Sequence, residues 1–199
     1  VYIAVVKYSG EGRYLRIDTA RGRLQYATAG STYGHNAADR AFSVAAAAAP
    51  TGRAFTSTDS LESYSSDGPR KVFFNHNGVK IGASGYLSTG GVTLNKPDIT
   101  AADATLSRWT ALAYGESSFG GTSAAAPHAA AVAALMLEAN PSLTRDEVFS
   151  ILTTTTFSKP SWNRNKGYGI IDAYAAVEAA QENSGATPTI PGAPSVSIS

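Results

Sequence analysis

The sequence predicts an α/β fold on three observations: a strand-like opening, a short apolar run suited to a buried parallel strand, and three segments with helical signals toward the end. The opening covers residues 1–28. Tyr2-Ile3-Ala4-Val5-Val6, Tyr14-Leu15-Arg16-Ile17 and Leu24-Gln25-Tyr26 are separated by Ser9-Gly10-Glu11-Gly12 and Arg21-Gly22-Arg23, so three short antiparallel strands are expected there. After the glycine-bearing turn at 30–34, Ala41-Phe42-Ser43-Val44-Ala45-Ala46 has the near-continuous apolar texture of a strand covered on both faces.

Residues 51–96 are rich in Gly, Ser, Asp and Asn, with Lys71-Val72-Phe73-Phe74 and Gly78-Val79-Lys80-Ile81 as short strands between turns. Three helices follow. The first runs over 122–139 and stops at Asn140-Pro141; the second opens at Thr144, with Glu147 three residues on as a capping box; the third covers 172–181. From Ser184 the chain turns to Gly, Ala, Thr, Pro and Ser, the composition of a linker. The expected organisation is therefore a β-rich segment over 1–30, an α/β unit over 31–183 and a linker over 184–199.

A chain of 199 residues with 43% hydrophobic content can bury a core. Its net charge of +1, with Lys and Arg scattered in ones and twos, offers no basic stripe for phosphates, and no nucleic-acid partner is expected. Without cysteine there is neither a disulfide scaffold nor a thiolate metal site. No apolar run reaches the roughly 18 residues a membrane span needs; the Ala-rich stretch 124–139 is interrupted by His128 and Glu138 and reads as a buried helix. The chain begins at Val1 with no signal peptide, so a piece of something larger is the expectation.

The most informative segment is Phe119-Gly120-Gly121-Thr122-Ser123-Ala124-Ala125-Ala126-Pro127-His128. A serine in a first helical turn presents its hydroxyl beside backbone N–H groups that lack intrahelical partners, and such groups stabilise an oxyanion on an attacked carbonyl. Gly120 and Gly121 let a substrate approach closely. The small side chains that follow let the helix sit tightly against its neighbours and hold Ser123 rigidly. A bare Gly-Thr-Ser would be no more than a capped helix after a glycine turn.

The longer motif Gly121-Thr122-Ser123-x-Ala125-x-Pro127 resembles the serine signature of the subtilases, with Ala131 where that signature has glycine. Three further segments resemble the same family in the expected order. Ser65-Ser66-Asp67-Gly68-Pro69 is similar to its serine-rich turn after a core strand. Lys96-Pro97-Asp98-Ile99-Thr100-Ala101 is similar to its Lys-Pro-Asp-Ile strand, although Ala101-Ala102-Asp103 replaces the usual Ala-Pro-Gly. Gly167-Tyr168-Gly169-Ile170-Ile171-Asp172-Ala173 is similar to its entry into the last catalytic-domain helix.

The resemblance implies the C-terminal half of a three-layer, subtilisin-like fold with a parallel sheet, the opening stretch being the end of a β-rich insertion. It implies a serine endopeptidase working through an acyl-enzyme at Ser123, whose own N–H is one oxyanion donor, assisted by the Thr122 hydroxyl. Protein or peptide substrates and a secreted location follow from the same resemblance. A serine needs a histidine base and an orienting carboxylate, and the family's Asp-[Ser/Thr]-Gly and His-Gly-[Thr/Ser] motifs and oxyanion-hole asparagine are absent from the sequence.

Asp18-Thr19-Ala20 and Gly34-His35-Asn36-Ala37 stand in the right order, but 17 positions between Asp18 and His35 leave too little chain for a βα unit. His76 reads as a turn residue, and His128 lies on another face of the helix from Ser123. The missing half of the catalytic domain is thus the expected partner, on the same or a separate chain, and this chain alone is expected to be inactive. The alternative is a non-catalytic subtilase-like domain kept for binding or assembly. No other hydrolase signature occurs, neither Gly-x-Ser-x-Gly nor Ser-x-x-Lys. Asp59, Glu62 and Asp67 form a loose acidic set that reads as a solvated loop, so no metal or cofactor is expected in this chain; calcium in the parent enzyme is allowed by family analogy.

Overall fold

The computed structural model describes residues 2–19, 24–82, 87, 89–106, 118–157 and 161–183. The linker stretch 184–199 and Ser117 lie outside them. Two strands form the centre. β1 (Val44–Ala48) and β4 (Ile99–Asp103) pair in parallel with Val44 opposite Ile99 and Ala48 opposite Asp103. Both are short and apolar, as parallel strands buried under helices must be: Ala45, Ala46, Ala47, Ile99 and Ala101 are all buried. A parallel bridge from Thr100 to Ile170 extends the sheet, with Thr100 N–H donating to Gly169 O at 2.8 Å and Ile171 N–H to Thr100 O at 2.9 Å.

The start of β4 is locked to β1 by a buried ion pair. Lys96 Nζ lies 2.7 Å from Asp98 Oδ2, both side chains under 5% exposed, and also donates to Ala41 O at 2.6 Å. Asp98 in turn accepts from Ser43 N–H at 2.7 Å. Desolvation holds the Asp98 carboxyl above its usual range even beside the Lys96 ammonium. Gly68 crosses the same corner so closely that a Cβ there would stand 1.5 Å from Lys96 O.

Helix α1 (Thr122–Ala139) lies across β1 and β4, α3 (Ala173–Glu182) packs on α1, and α2 (Arg145–Thr154) packs on α3. Ala125, Ala129, Met136, Leu152, Ile171, Ala176 and Ala180 join the strand residues in one core. The α/β arrangement and all three helices are those the sequence predicts, within a residue or so of the expected boundaries. The capping box at Thr144 is formed, with Thr144 N–H donating to Glu147 Oε2 at 2.7 Å and Glu147 N–H to Thr144 Oγ1 at 3.3 Å. Pro127 is the sixth residue of α1, beyond the first turn, so the carbonyl of Ser123 has no N–H four residues on to receive.

The remaining pairing is antiparallel and short: β2 (Arg70–Val72) with β3 (Val92–Leu94), a bridge from Phe74 to Lys80, and β5 (Thr105–Leu106) with β6 (Ser118–Phe119). The expected strands near 71–74 and 78–81 are thus only partly formed. The opening departs further. Among the described residues of 2–30 there is no strand, only an isolated antiparallel bridge from Arg13 to Leu87. Tyr2, Ile3, Val5, Val6, Tyr8, Leu15 and Tyr26 are exposed. Strand-like composition forms a strand only where another edge is offered, and one or two strands without a packed face are marginal in water.

Candidate active site

The site assembles at the C-terminal end of β4, where the chain reverses. Asp103 is the last residue of that strand and is fully buried. Ala104 follows with φ 54°, a left-handed conformation that non-glycine residues seldom take. β5 then leaves, and its pairing with β6 puts Thr105 opposite Phe119, which delivers Gly120 and Gly121 back beside Asp103. Gly121 is the N-cap of α1 at φ 105°, where a side chain would be strained.

Thr122 and Ser123 are therefore the first two residues of α1. Ser123 is exposed at the surface of this turn, whereas Ala124 and Ala125 beside it are buried. Ala124 N–H donates back to Gly121 O at 2.8 Å and Ala125 N–H to the same oxygen at 3.2 Å. The amides of Thr122 and Ser123 precede these bonds, in the stretch of a helix where N–H groups have no carbonyl upstream to reach. An exposed serine thus stands in a first helical turn whose leading amides have no carbonyl partner among the described residues, with buried alanines directly behind it. Such a turn can present a nucleophile and stabilise an oxyanion at one place.

Of the residues singled out in the sequence, Gly120, Gly121, Thr122 and Ser123 are brought together here. The histidines are not. His35 is exposed in a short 3-10 turn (Gly34–Ala37), and Asp18 is salt-bridged to Arg16 at 3.1 Å. His76 is exposed in a turn. His128 lies on α1 with Nδ1 2.8 Å from Ala124 O, so that nitrogen carries the proton and donates to the helix backbone. The acidic set is dispersed among basic and hydroxyl partners: Asp59 pairs with Arg53, and Asp67 with Arg164 at 2.5 Å and the Ser31 hydroxyl at 2.8 Å.

Two residues of the site were not singled out for it from the sequence, Asp103 and Tyr64. Asp103 Oδ2 accepts from Gly121 N–H at 3.0 Å and from the Tyr64 hydroxyl. About half of the Tyr64 side chain is exposed, but its hydroxyl end is desolvated against Asp103. That burial, reinforced by the bond to Asp103 and by the charges of Asp103 and Glu62, pushes the phenol up to about 12. The available signal was the departure at Asp103 from the glycine that closes the family's strand; Tyr64 offered none beyond its place ahead of the Ser65-Ser66 turn.

Residues 11–169 match the Subtilase family, well over half of the chain. Bacillopeptidase F of Bacillus subtilis is 43% identical over 77 residues, covering 35% of this chain and 5% of that protein. Endoprotease bli-4 of Caenorhabditis elegans is 44% identical over 75 residues, covering 31% of this chain and 8% of that protein. Among solved structures, fervidolysin from Fervidobacterium pennivorans, described as a keratinolytic enzyme related to subtilisin, aligns at 19% identity and a TM-score of 0.41 over 72% of this chain and 20% of that one. The chain thus spans a small part of the length of the curated relatives it matches.

Proposed function

The chain belongs to the subtilase family, and from that membership we propose that it is the serine-bearing part of a secreted serine endopeptidase, with Ser123 as the nucleophile that forms the acyl-enzyme. The observation that carries this reading is the exposed Ser123 at the second position of α1, behind a Gly-Gly turn and among helix-terminal amides with no partner among the described residues. In this reading the Ser123 N–H is one oxyanion donor, the Thr122 hydroxyl assists, and Gly120 and Gly121 leave room for the substrate backbone.

The histidine base and its carboxylate come from outside these residues, in the N-terminal half of the domain, on the same or a separate chain. The hydrogen bonding of His35, His76 and His128 supports that assignment, because among the described residues none is bonded to Ser123 or to a carboxylate. The substrate is a protein or peptide, and no cofactor is needed for the acyl transfer itself; calcium belongs, if anywhere, to the rest of the enzyme.

The test is labelling with a fluorophosphonate probe in the presence and absence of the half that carries the aspartate and histidine motifs. With both halves, one serine of this chain, Ser123, is expected to be labelled, and Ser123→Ala to abolish labelling while the halves still assemble. The chain alone is expected to label at background and to leave casein uncut. Label mapped to Ser118 or to the Ser63, Ser65, Ser66 cluster would overturn the site. An assembled protein that labels nowhere would instead favour a subtilase-like binding domain.

A further inference from the structure

We propose that Asp103 is a positioning residue for the nucleophile turn, acting as an acceptor cap supplied to α1 from the neighbouring strand; this rests on the reading of Ser123 as nucleophile. Helix α1 has no side-chain cap of its own. Its N-cap is Gly121, without a side chain to accept a bond, and its first turn holds no acidic residue. Most helix starts supply both features locally, an oxygen at the N-cap and negative charge in the first turn. Here both come from Asp103, which stands on a different element at the end of β4, is wholly buried, and takes the Gly121 N–H on Oδ2 at 3.0 Å.

The Tyr64 hydroxyl donates to the same oxygen, a second donor from a different part of the chain that fixes the carboxylate. Its other oxygen, Oδ1, is buried without a donor among the described residues and faces Gly120, where a Cβ would come within 3.4 Å of it. Asp103 therefore meets both glycines ahead of Ser123: it bonds the amide of one and stands in van der Waals reach of where a side chain would begin on the other. The residue sits where the left-handed Ala104 turns the chain away, so its own backbone is pinned between the β1–β4 ladder and the β5–β6 pair. A turn that must hold a nucleophile within a fraction of an ångström of its reacting position gains from a fixed acceptor that the helix cannot supply itself.

The experiment compares wild type, Asp103→Ala, Asp103→Asn and Tyr64→Phe in the assembled enzyme. Two readouts serve: the rate of fluorophosphonate labelling at Ser123 with the kcat and KM for a peptide substrate, and hydrogen exchange at the Gly121 amide. Asp103→Ala is expected to cut kcat and the labelling rate by about 10- to 100-fold with KM changed less than about threefold, the signature of a misplaced nucleophile. The Gly121 amide should lose its protection while α2 and α3 keep theirs. Asp103→Asn keeps an acceptor oxygen and should restore labelling to within about threefold of wild type; Tyr64→Phe leaves the carboxylate less constrained and should slow labelling by about threefold.

A wild-type enzyme that does not label at all overturns the reading of Ser123. A labelled wild type whose Asp103→Ala variant labels equally fast overturns the positioning role alone. Should Asp103→Ala fail to fold, wild-type protection at Gly121 and the Tyr64→Phe rate decide the matter: an unprotected Gly121 amide, or a Tyr64→Phe enzyme indistinguishable from wild type, overturns it.

Discussion

Two segments of the described chain have similar appetites for burial and opposite fates. Val5 and Val6 in the opening and Val44 to Ala48 in β1 are both short apolar runs, yet Val6 is 82% exposed and Ala46 is 0% exposed. The difference lies in what each run is offered. β1 has β4 on one edge, and α1 lies across it. Even the backbone groups of Ala46 are met by neighbours, Ala46 N–H donating to Ser65 Oγ at 3.0 Å and Ala46 O accepting from Glu62 N–H at 2.9 Å. Among its described residues the opening has one bridge, at Arg13. An apolar run gains free energy only through surfaces that cover it, about 25 cal/mol for each Å² removed from water.

The contrast can be broken most directly in the core. Met136→Ala removes a side chain with no exposed surface from the packing of α1 and should destabilise the protein by about 2–5 kcal/mol, read from denaturant midpoints. Tyr2→Ala and Val6→Ala should change the same midpoint by less than about 0.5 kcal/mol. A loss above about 1 kcal/mol at Val6 would show that the opening is covered in solution.

The same contrast explains how far the sequence could be read. The helices were legible because their signals are local: Thr144 with Glu147, the Asn140-Pro141 stop, and the alanine run of α1 each act within a turn or two. β4 was legible through the Lys96-Pro97-Asp98 motif, although the buried Lys96–Asp98 pair that gives the motif its purpose is visible only in three dimensions. At the candidate site, Gly120 to Ser123 are contiguous and announced themselves. Asp103 and Tyr64 did not, because Asp103 reaches Gly121 across 18 positions and Tyr64 reaches Asp103 across 39, and only the β5–β6 pairing and the turn at Ala104 bring the first of them back. The opening misled for the converse reason: alternation and β-branching report the wish to pair without naming a partner.

Where the exposed opening meets the packed core, Asp67 makes the join. Its Oδ1 accepts from the Gly30 and Ser31 amides at 3.2 and 2.9 Å and from the Ser31 hydroxyl, while Oδ2 faces Arg164. Burial opposes the charge, but the bonds from Ser31 and the Arg164 guanidinium outweigh it and hold the carboxyl below its usual range. Folding therefore favours the deprotonated form. The contribution is whole above the ordinary aspartate pKa of about 4 and is lost as pH falls through the lower folded value. Asp67→Ala should cost about 1–2 kcal/mol at neutral pH, discounted for the half-exposed Arg164, and should flatten the loss of stability as pH falls below about 4. An unchanged acid profile would move the join elsewhere.

Loss of a single cap separates local from tertiary capping, the distinction on which the two helices at the heart of the fold differ. α2 carries its own cap: Thr144 accepts from Glu147 N–H, and Glu147 reaches back to the Thr144 amide. Thr144→Ala should cost about 1 kcal/mol, the usual worth of such a cap, and should do so without touching the turn at Gly121, since Thr144 stands at the start of a different helix. Hydrogen exchange checks both halves of that statement. The first amides of α2 should exchange faster in Thr144→Ala while Gly121 exchanges at its wild-type rate, because a capping box satisfies only the donors of its own first turn. A variant in which the Gly121 amide also opens would mean that the helices start as one cooperative unit, and the strand-supplied cap at Asp103 would then be only one of several supports on which the nucleophile turn depends.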